Sequence, residues 1–575
     1  MATVANASPL LAEVSASQSL VARFPRALTI LVTAAAVLSP LSLILYQSLL
    51  SAPFFDAKKT VGLDAYRFIF ADPDFWSALT NSLLIATGMT LIAVPVGAVM
   101  AFVMERTDFP GKRWIEPVLL VPSFVSPMVL SFGYVVAAGP VGFYSVWATD
   151  LFGGVPWGLY TLPAMAVIAG LTHVPNVYVY ASSALKSLGS DVEEAARTAG
   201  ASPFRVAVDV SLPLIMPALL FSAVLVFFLG IELFGLPLVL GDPEGHLVMS
   251  TYLYKLTNKL GTPSYHLMAA VAICIVAMTV PLVLLQRRLL QNARRYATIK
   301  GKAGRIRELP LGKWKWLAVL LIGAWVLVAV VVPLSGIALR AFVTNWGFGV
   351  SLREAFTLDN FHAVFDEPTH VRAIVNTILI GTLGGALTVA CYTAIGFATH
   401  RRNDGWSRVV DYLVLLPRAV PGLLIGLAFL WVFLFFPPLT PLRQTIFSVW
   451  LAYTVVWLAY GMRLISSSMM QVSTELEEAA RTVGASRGRI SREITLPLIR
   501  HGLLGSWLLV FMIFEREYST AVYLLAPGTE VIGAQLVSLW QGGAIDVVAA
   551  LSLINIVLVF IGLAIALRFG VKLRD

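Results

Sequence analysis

The sequence predicts an all-α polytopic membrane protein with about twelve transmembrane helices in two homologous, parallel six-span halves. Its 575 residues are 58% hydrophobic and 13% charged, compared with about half and about a quarter in a typical soluble domain. The mean hydropathy is +0.82. Because one helix needs about 20 apolar residues to cross a bilayer, twelve spans would use roughly 240 positions. A soluble core cannot bury this excess, so the composition indicates a membrane protein.

The apolar segments predict helices because they are continuously apolar, whereas barrel strands alternate with a period of two residues. The first segment is too long for a typical signal peptide, which is the alternative, and we interpret it as an uncleaved span. The predicted spans are 27–50, 78–104, 116–139, 157–184, 213–240, 266–288, 315–341, 373–399, 409–436, 444–470, 500–526 and 547–568.

The distribution of basic residues predicts the orientation, because short cytoplasmic loops retain Lys and Arg. With a cytoplasmic N-terminus, the inside segments hold 29 of the 41 basic residues. Both termini are therefore expected in the cytoplasm of a bacterial cell, with the chain in its inner membrane. The predicted units are an N-terminal segment 1–26, a first half 27–288, a basic linker 289–314, a second half 315–568 and a tail 569–575.

The positions of the cysteines and of the basic residues exclude several kinds of chemistry. Cys274 and Cys391 lie far apart in apolar runs, so no disulfide framework or thiolate zinc site is expected. The basic residues stand in short blocks between apolar segments, which indicates membrane topology and lipid contact instead of nucleic-acid binding. The linker block is expected to be a solvated topogenic loop, and contact with anionic headgroups is the alternative.

An internal repeat divides the chain. Residues 193–202 and 477–486 differ at one position, at an offset of 284 residues. Asn81 and Pro122 correspond to Asn376 and Pro417 at an offset of 295. Six spans per half is an even number, so both halves have the same orientation, as in a parallel repeat about an axis along the membrane normal.

Each repeated loop predicts a helix–turn–helix on the cytoplasmic side. Gly200 offers a left-handed end to the first helix, and Ser202 offers an N-cap for the second. Gly484 and Ser486 have the same roles in the second copy. There Arg487 stands in place of a proline, so the sequence marks the helix start less strongly.

These loops resemble the signature of the permease family of binding-protein-dependent ABC importers, in which Glu-Ala-Ala is followed after three residues by Gly. The fused two-half length resembles the ferric-iron type. The resemblance implies a type I importer permease fold, two cytoplasmic ATPase subunits that dock on the loops, and an external solute-binding protein. An interfacial helix pair without a partner is the alternative. The predicted ATPase-coupling residues are Glu193, Glu194, Ala195, Ala196 and Gly200 in the first loop, and Glu477, Glu478, Ala479, Ala480 and Gly484 in the second.

The sequence contains no motor or catalytic signature. Its Gly-Lys pairs are followed by Arg113, Ala303 and Trp314, whereas a phosphate-binding loop needs Ser or Thr there. The seven histidines show no metal-binding spacing. We therefore expect a permease that is not an enzyme and binds no cofactor, with ATP used by the partner subunits. An ion-coupled secondary transporter is a remote alternative, as is a membrane-embedded enzyme.

Ionisable residues within the spans are candidates for the translocation pathway, because charge at membrane depth is costly. Glu232 and Glu517 lie at nearly equal distances beyond their Leu-Pro prolines, and Gly235 and Pro237 are expected to break the helix after Glu232. These acids have four open roles, namely substrate contact, pairing with arginine, binding-protein contact and snorkelling to the surface. The candidate set is Glu232, Glu515, Glu517, Arg418 and Arg463. Any metal ligand stays unknown.

The substrate is the least determined feature. Ferric iron is the best guess, because this hard cation favours carboxylate oxygen. Permeases of the same class for phosphonate, polyamine, thiamine or sulfate are the alternatives.

Overall fold

A computed structural model describes residues 9–187, 191–258, 263–296, 308–402 and 404–568. Parts of the predicted N-terminal segment 1–26 and linker 289–314, and the whole tail 569–575, lie outside these residues. The helices of the first half are α1 Pro9–Ser48, α2 Asp64–Ala71, α3 Pro73–Arg106, α4 Lys112–Phe124, α5 Pro127–Ala138, α6 Phe143–Phe152, α7 Leu162–Ser187, α8 Asp191–Thr198, α9 Pro203–Arg205, α10 Leu212–Ile231, α11 Met249–Asn258 and α12 Tyr265–Tyr296.

The second half repeats this order with shorter pieces. Its helices are α13 Trp314–Val326, α14 Val332–Ala341, α15 Leu352–Ala355, α16 Asp359–Asp366, α17 Pro368–Leu379, α18 Gly385–Thr399, α19 Gly405–Leu415, α20 Gly422–Phe435, α21 Ile446–Val456, α22 Leu458–Met470, α23 Thr474–Thr482, α24 Arg487–Ile490, α25 Leu496–Arg516, α26 Ile532–Gln541 and α27 Ile545–Arg568. π-helical turns occupy Val206–Ser211, Pro237–Gly241, Leu327–Val331, Ile380–Gly384 and Ser491–Thr495, and 3₁₀ turns occupy Asp242–Glu244, Leu416–Ala419 and Thr440–Leu442.

The all-α polytopic fold is confirmed. In the described part of the chain, ten helices are long and apolar enough to cross a membrane, or up to twelve if each of two bent pairs is one span. β-structure in the same residues is limited to isolated bridges.

Several predicted spans are not single straight helices. The span 116–139 is divided where Pro127 starts α5, and the span 409–436 bends by 108° before α20. The span 444–470 bends by 65°. The spans 213–240 and 500–526 end early, because α10 stops at Ile231 and α25 at Arg516. Mean hydropathy over a segment does not show where a helix bends or ends, so these boundaries differ from the predicted spans, whereas the break after Glu232 follows the expectation from Gly235 and Pro237.

The two halves interlock through their first helices. Helix α1 packs against α12 of its own half and against α18, α19 and α20 of the second half, while α14 crosses α5 of the first half. At this second crossing, a Cβ added to Gly133 would lie 2.4 Å from Pro333 O, and one added to Gly336 would lie 2.7 Å from Gly133 O. The missing side chains therefore let the two backbones meet.

An ion pair fastens α1 to the second half. Arg26 donates to Asp404 Oδ1 at 2.7 Å and to Ala398 O at 2.9 Å. The hydrogen bond from Arg26, followed by those from Ser407, holds the pKa of the Asp404 carboxyl well below its usual range. The Asp404 carboxyl therefore stays ionised near neutral pH.

Repeated hydrogen bonds show that the halves share one architecture. Asn81 donates to Leu247 O at 2.9 Å, and its counterpart Asn376 donates to Glu530 O at 2.9 Å. The next residue in each half, Ser82 or Thr377, accepts the backbone N–H that starts α11 or α26, at 2.8 and 2.9 Å. The sequence offset of 295 residues is thus a structural equivalence.

Candidate functional site

The two repeated loops form the predicted helix–turn–helix. Gly200 has φ +90° and Gly484 has φ +82°, and each follows a short helix, α8 or α23, as the left-handed residue. Ser202 Oγ accepts from Arg205 N, and Ser486 Oγ accepts from Arg489 N, both at 3.4 Å. In the second loop the serine caps the helix start without a following proline.

The two adjacent acids of each loop face opposite ways. Glu193 and Glu477 are buried, whereas Glu194 and Glu478, which directly precede the paired alanines, are exposed. Ala195 and Ala479 are also exposed, and Ala196 and Ala480 are half-buried. Glu194 and Glu478 form no ion pair with another described residue. Each short helix therefore presents one acid and one alanine on its open face.

Each buried acid is held by an arginine from the end of the second span of its half. Arg106 Nε lies 3.0 Å from Glu193 Oε1, which also accepts from Ser211 Oγ at 2.8 Å. In the second half, Arg401 Nη1 lies 3.0 Å from Glu477 Oε2. His400 and Arg481 add contacts to Glu477 at 3.3 and 3.6 Å.

Sequence reasoning missed Arg106 and Arg401. A signal for them was present, since the two positions differ by the same 295 residues that relate Asn81 to Asn376. Both arginines stood among the basic residues that were counted only for topology.

Apolar side chains surround the open face of both loops. Val192 is 56% exposed and its counterpart Leu476 is 48% exposed, one residue before each buried acid. Phe204, Met470 and Val483 are 76%, 71% and 84% exposed. Exposed apolar groups concentrated beside a charged helix are typical of a protein interaction surface.

The predicted pathway acids lie where the structure breaks its helices. Glu517 follows the last residue of α25, and its carboxylate accepts from Trp457 Nε1 at 2.9 Å, Ser519 Oγ at 3.0 Å and Thr520 Oγ1 at 3.1 Å. The Thr520 backbone N–H donates to the same oxygen, Oε1, at 3.2 Å. Gly422, the first residue of α20, lies beside this oxygen, so the positive end of a helix adds to the stabilisation.

Glu232 is the equivalent of Glu517 in the first half, but its carboxylate has fewer hydrogen-bond donors around it. It follows the last residue of α10, and the helix breaks there before Pro237, as expected. The side chain is half-buried and lines a small cavity of about 20 Å³ with Ser250, Gly422 and Ser519. Among the described residues, no donor to its carboxylate is found.

The remaining candidates fall into different places. Glu515 is 1% exposed, and neither oxygen of its carboxyl group has a hydrogen-bond partner among the residues that the structure describes. Arg418 lies over the Phe228 ring, 4.6 Å from its centroid. Arg463 is exposed on α22. In the described parts of the chain, none of the three acids has an arginine within 4 Å, and the burial of Glu515 and Glu517 excludes snorkelling for these two.

A larger cavity of about 190 Å³ lies between the two halves. It is bordered by side chains of both, among them Ser123, Thr172, His173, Asn176, Trp457, Arg516 and Glu517. Arg516 donates to Ser123 O, which ends α4, so α25 of the second half is fixed to a broken span of the first. The described residues contain no group of three or more His, Cys, Asp or Glu that could hold a metal ion.

Comparison with known proteins agrees with this organisation. A model of binding-protein-dependent transport system inner membrane components matches the chain twice, over residues 93–295 and 386–574. A ferric transport system permease protein of Actinobacillus pleuropneumoniae is 25% identical over 490 residues, 83% of this chain and 69% of that protein. An Fe(3+)-transport system permease protein of Haemophilus influenzae is 24% identical over 484 residues, 84% and 87% of the two chains.

A shorter relative corresponds to about one half. The molybdenum transport system permease protein of Escherichia coli is 27% identical over 217 residues, 37% of this chain and 92% of that protein. Two copies of the family domain within one chain thus explain the repeat and the equivalent hydrogen bonds. The chain belongs to the family of binding-protein-dependent transport system inner membrane components, and it is a fused, two-half permease of the ABC importer type.

Proposed function

We propose that this permease moves a small solute, delivered by an external binding protein, through a pathway between its halves, and that two separate ATPase subunits drive it from the cytoplasm by docking on α8 and α23. The observation that carries the proposal is the duplicated loop. In both halves one glutamate anchors the short helix inside the protein and the next glutamate stays exposed.

The surface of the loops supports docking. Val192 and Leu476 stand at equivalent positions beside the exposed acids, and Phe204 and Val483 extend the apolar area. Burying such groups against a partner contributes about 25 cal/mol per Å². A secondary transporter would have no use for two matched surfaces of this kind.

Ferric iron is the substrate we propose. Two relatives that match more than four fifths of this chain are ferric transport permeases. Glu232 offers carboxylate oxygen, a ligand that hard cations prefer, within a cavity between the halves. Phosphonate, polyamine, thiamine and sulfate remain the alternatives. Uptake of radiolabelled ferric iron by cells that express the permease with its ATPase and binding protein distinguishes among them, and uptake of a competing solute alone would contradict the assignment.

The docking surface is tested by charge. Val192→Asp combined with Leu476→Asp should keep both short helices, because an acid in the first turn suits the helix dipole. It should lower co-purification of the ATPase subunits at least tenfold, since a charge then replaces the apolar contact. Val61→Asp, at a residue 77% exposed and predicted to face outside, is the matched control. Equal recovery of the ATPase subunits with the wild type, the double aspartate variant and the Val61→Asp control would contradict the docking role.

The orientation is tested by labelling. We propose that both termini, the linker 289–314 and the tail 569–575 face the cytoplasm, with the halves 27–288 and 315–568 in the inner membrane. In a Cys274→Ser, Cys391→Ser background, Asn258→Cys should react with an impermeant maleimide added to intact cells, and Arg305→Cys should react only after permeabilisation. The reverse pattern would place both loops outside and rule out ATPase docking.

A further inference from the structure

We propose that Arg106 and Arg401 are positioning residues, each a clamp that ties the short loop helix to the ends of two membrane spans and so transmits its movement. The proposal rests on the proposed ATPase docking and adds the residues through which docking would act. It follows from two connected contacts that occur in both halves, an arginine–glutamate ion pair and a hydrogen bond from the same arginine to a backbone carbonyl at the end of a membrane span.

In the first half, Arg106 connects α3, α7 and α8. It is the last residue of α3 and only 1% exposed. Its Nε lies 3.0 Å from Glu193 Oε1 on α8, and its Nη2 donates to Leu185 O, in the last turn of α7, at 2.8 Å. Ser211 Oγ donates to the same glutamate oxygen, which extends the connection to the turn that leads into α10.

In the second half, Arg401 makes the same three-way connection from a different backbone. Its Nη1 lies 3.0 Å from Glu477 Oε2 on α23, and its Nη2 donates to Val472 O, just after α22, at 2.6 Å. Arg401 lies beyond the end of α18 and has φ +49°. This left-handed conformation is uncommon for a residue other than glycine. The same clamp is thus built twice, once at the cost of an unfavourable backbone.

Stability alone does not account for a buried ion pair of this kind. Removing two charges from water is expensive, and apolar residues of similar volume often serve stability equally well or better. What the arginine adds is a planar fork with several donors in fixed directions. That geometry holds a carboxylate and a carbonyl at once, so the short helix cannot move without the two span ends.

The consequence is mechanical. A displacement of α8 moves the ends of α3 and α7, and a displacement of α23 moves the ends of α18 and α22. Helix α7 borders the cavity between the halves through Thr172, His173 and Asn176. The clamp in the first half therefore links the cytoplasmic loop to a wall of the pathway.

Lysine distinguishes a clamp from a simple charge, because it keeps the charge and loses the fork. We expect Arg106→Lys with Arg401→Lys to assemble with the ATPase subunits within twofold of the wild-type yield. In proteoliposomes that contain the binding protein, ATP hydrolysis should persist while solute transported per ATP falls at least tenfold. Arg340→Lys is the control, since Arg340 pairs with Asp546 between α14 and α27, away from both loops. A wild-type ratio of transport to hydrolysis in the double variant would overturn the proposal.

A second measurement needs no ATPase and keeps the two proposals separable. Spin labels at Val99 on α3 and Glu194 on α8 report their distance in nanodiscs that contain the permease alone. Arg106→Gln with Glu193→Gln removes both buried charges together, so it leaves no unpaired charge to unfold the protein. The distance distribution should widen clearly in this variant and stay narrow in Arg340→Lys. A narrow distance distribution in both variants would overturn the clamp even if the ATPase docks on the loops. A widened distribution in the double glutamine variant would support the clamp even if the ATPase docked elsewhere.

Discussion

Replacing both Gly200 and Gly484 by valine is expected to abolish transport while the chain stays in the membrane. The two residues have φ +90° and +82°, a region that costs other residues about 1–2 kcal/mol each. One such penalty lowers the population of a turn roughly five- to thirtyfold, and β-branched side chains fit it worst. Both short helices would then lose the orientation in which they dock on the ATPase subunits. Solute uptake and ATPase co-purification measure the loss, and membrane content measures insertion.

The backbone alone should cause this effect, because a Cβ at either glycine would meet no atom within 4 Å. Gly488→Val supplies a matched control. Gly488 lies four residues after Gly484, has equally open space around it and does not have a positive φ. Transport at the wild-type rate in the double valine variant, or an equal loss in the control, would show that the turns do not set the docking geometry.

Glu517→Gln is expected to destabilise the folded protein, whereas Glu232→Gln leaves its stability unchanged. The Glu517 carboxylate accepts four hydrogen bonds from Trp457, Ser519 and Thr520, and the Trp457 indole N–H and the Thr520 backbone N–H, which donate to different oxygens, cannot accept a hydrogen bond in return. An amide turns one acceptor into a donor, so at least one buried donor loses its partner, at about 1–3 kcal/mol each. Fluorescence-detected melting of the detergent-solubilised proteins should show a lower Tm and a lower yield for Glu517→Gln alone.

The stable Glu232→Gln variant then isolates the pathway role. Its uptake of ferric iron should fall several-fold if the half-buried carboxylate meets the cation, with ATPase assembly unchanged. Normal uptake of every tested cation would remove Glu232 from the mechanism. Equal melting temperatures for the two glutamine variants would show that the hydrogen bonds around Glu517 do not stabilise the fold.

Local chemistry explains which parts of the site could be predicted. The end of α8 at Gly200 and the cap at Ser202 depend on a few neighbouring residues, so the sequence alone predicts the turn correctly. The partners of the buried glutamates come from residues that are distant in the sequence. Arg106 precedes Glu193 by 87 positions, and only the packed fold brings them within 3.0 Å.

The pathway residues show the same limit from another side. Nearly equal spacing after the Leu-Pro pairs places Glu232 and Glu517 directly after the ends of α10 and α25. The spacing does not tell which of the two carboxylates accepts hydrogen bonds from its surroundings. Arg463 was a candidate because of its depth in an apolar run, and it lies exposed on α22. Hydropathy measures how apolar a segment is and carries no information on where its side chains point, so it predicts neither their directions nor the bends of the spans. The break after Glu232 is predicted by Gly235 and Pro237 instead.

The contact between α1 and the second half has a consequence for how the protein is made. Arg26 leaves the ribosome 378 residues ahead of Asp404, an interval on the order of 20–80 s at the usual rates of synthesis. During this time α1 can pack against α12 of its own half but lacks α18, α19 and α20 of the second. A chain that stops after the first half therefore leaves one face of α1 uncovered and Arg26 without Asp404. Fusion of the halves ties the completion of these contacts to the completion of one chain, whereas separately made halves would have to meet in the membrane first.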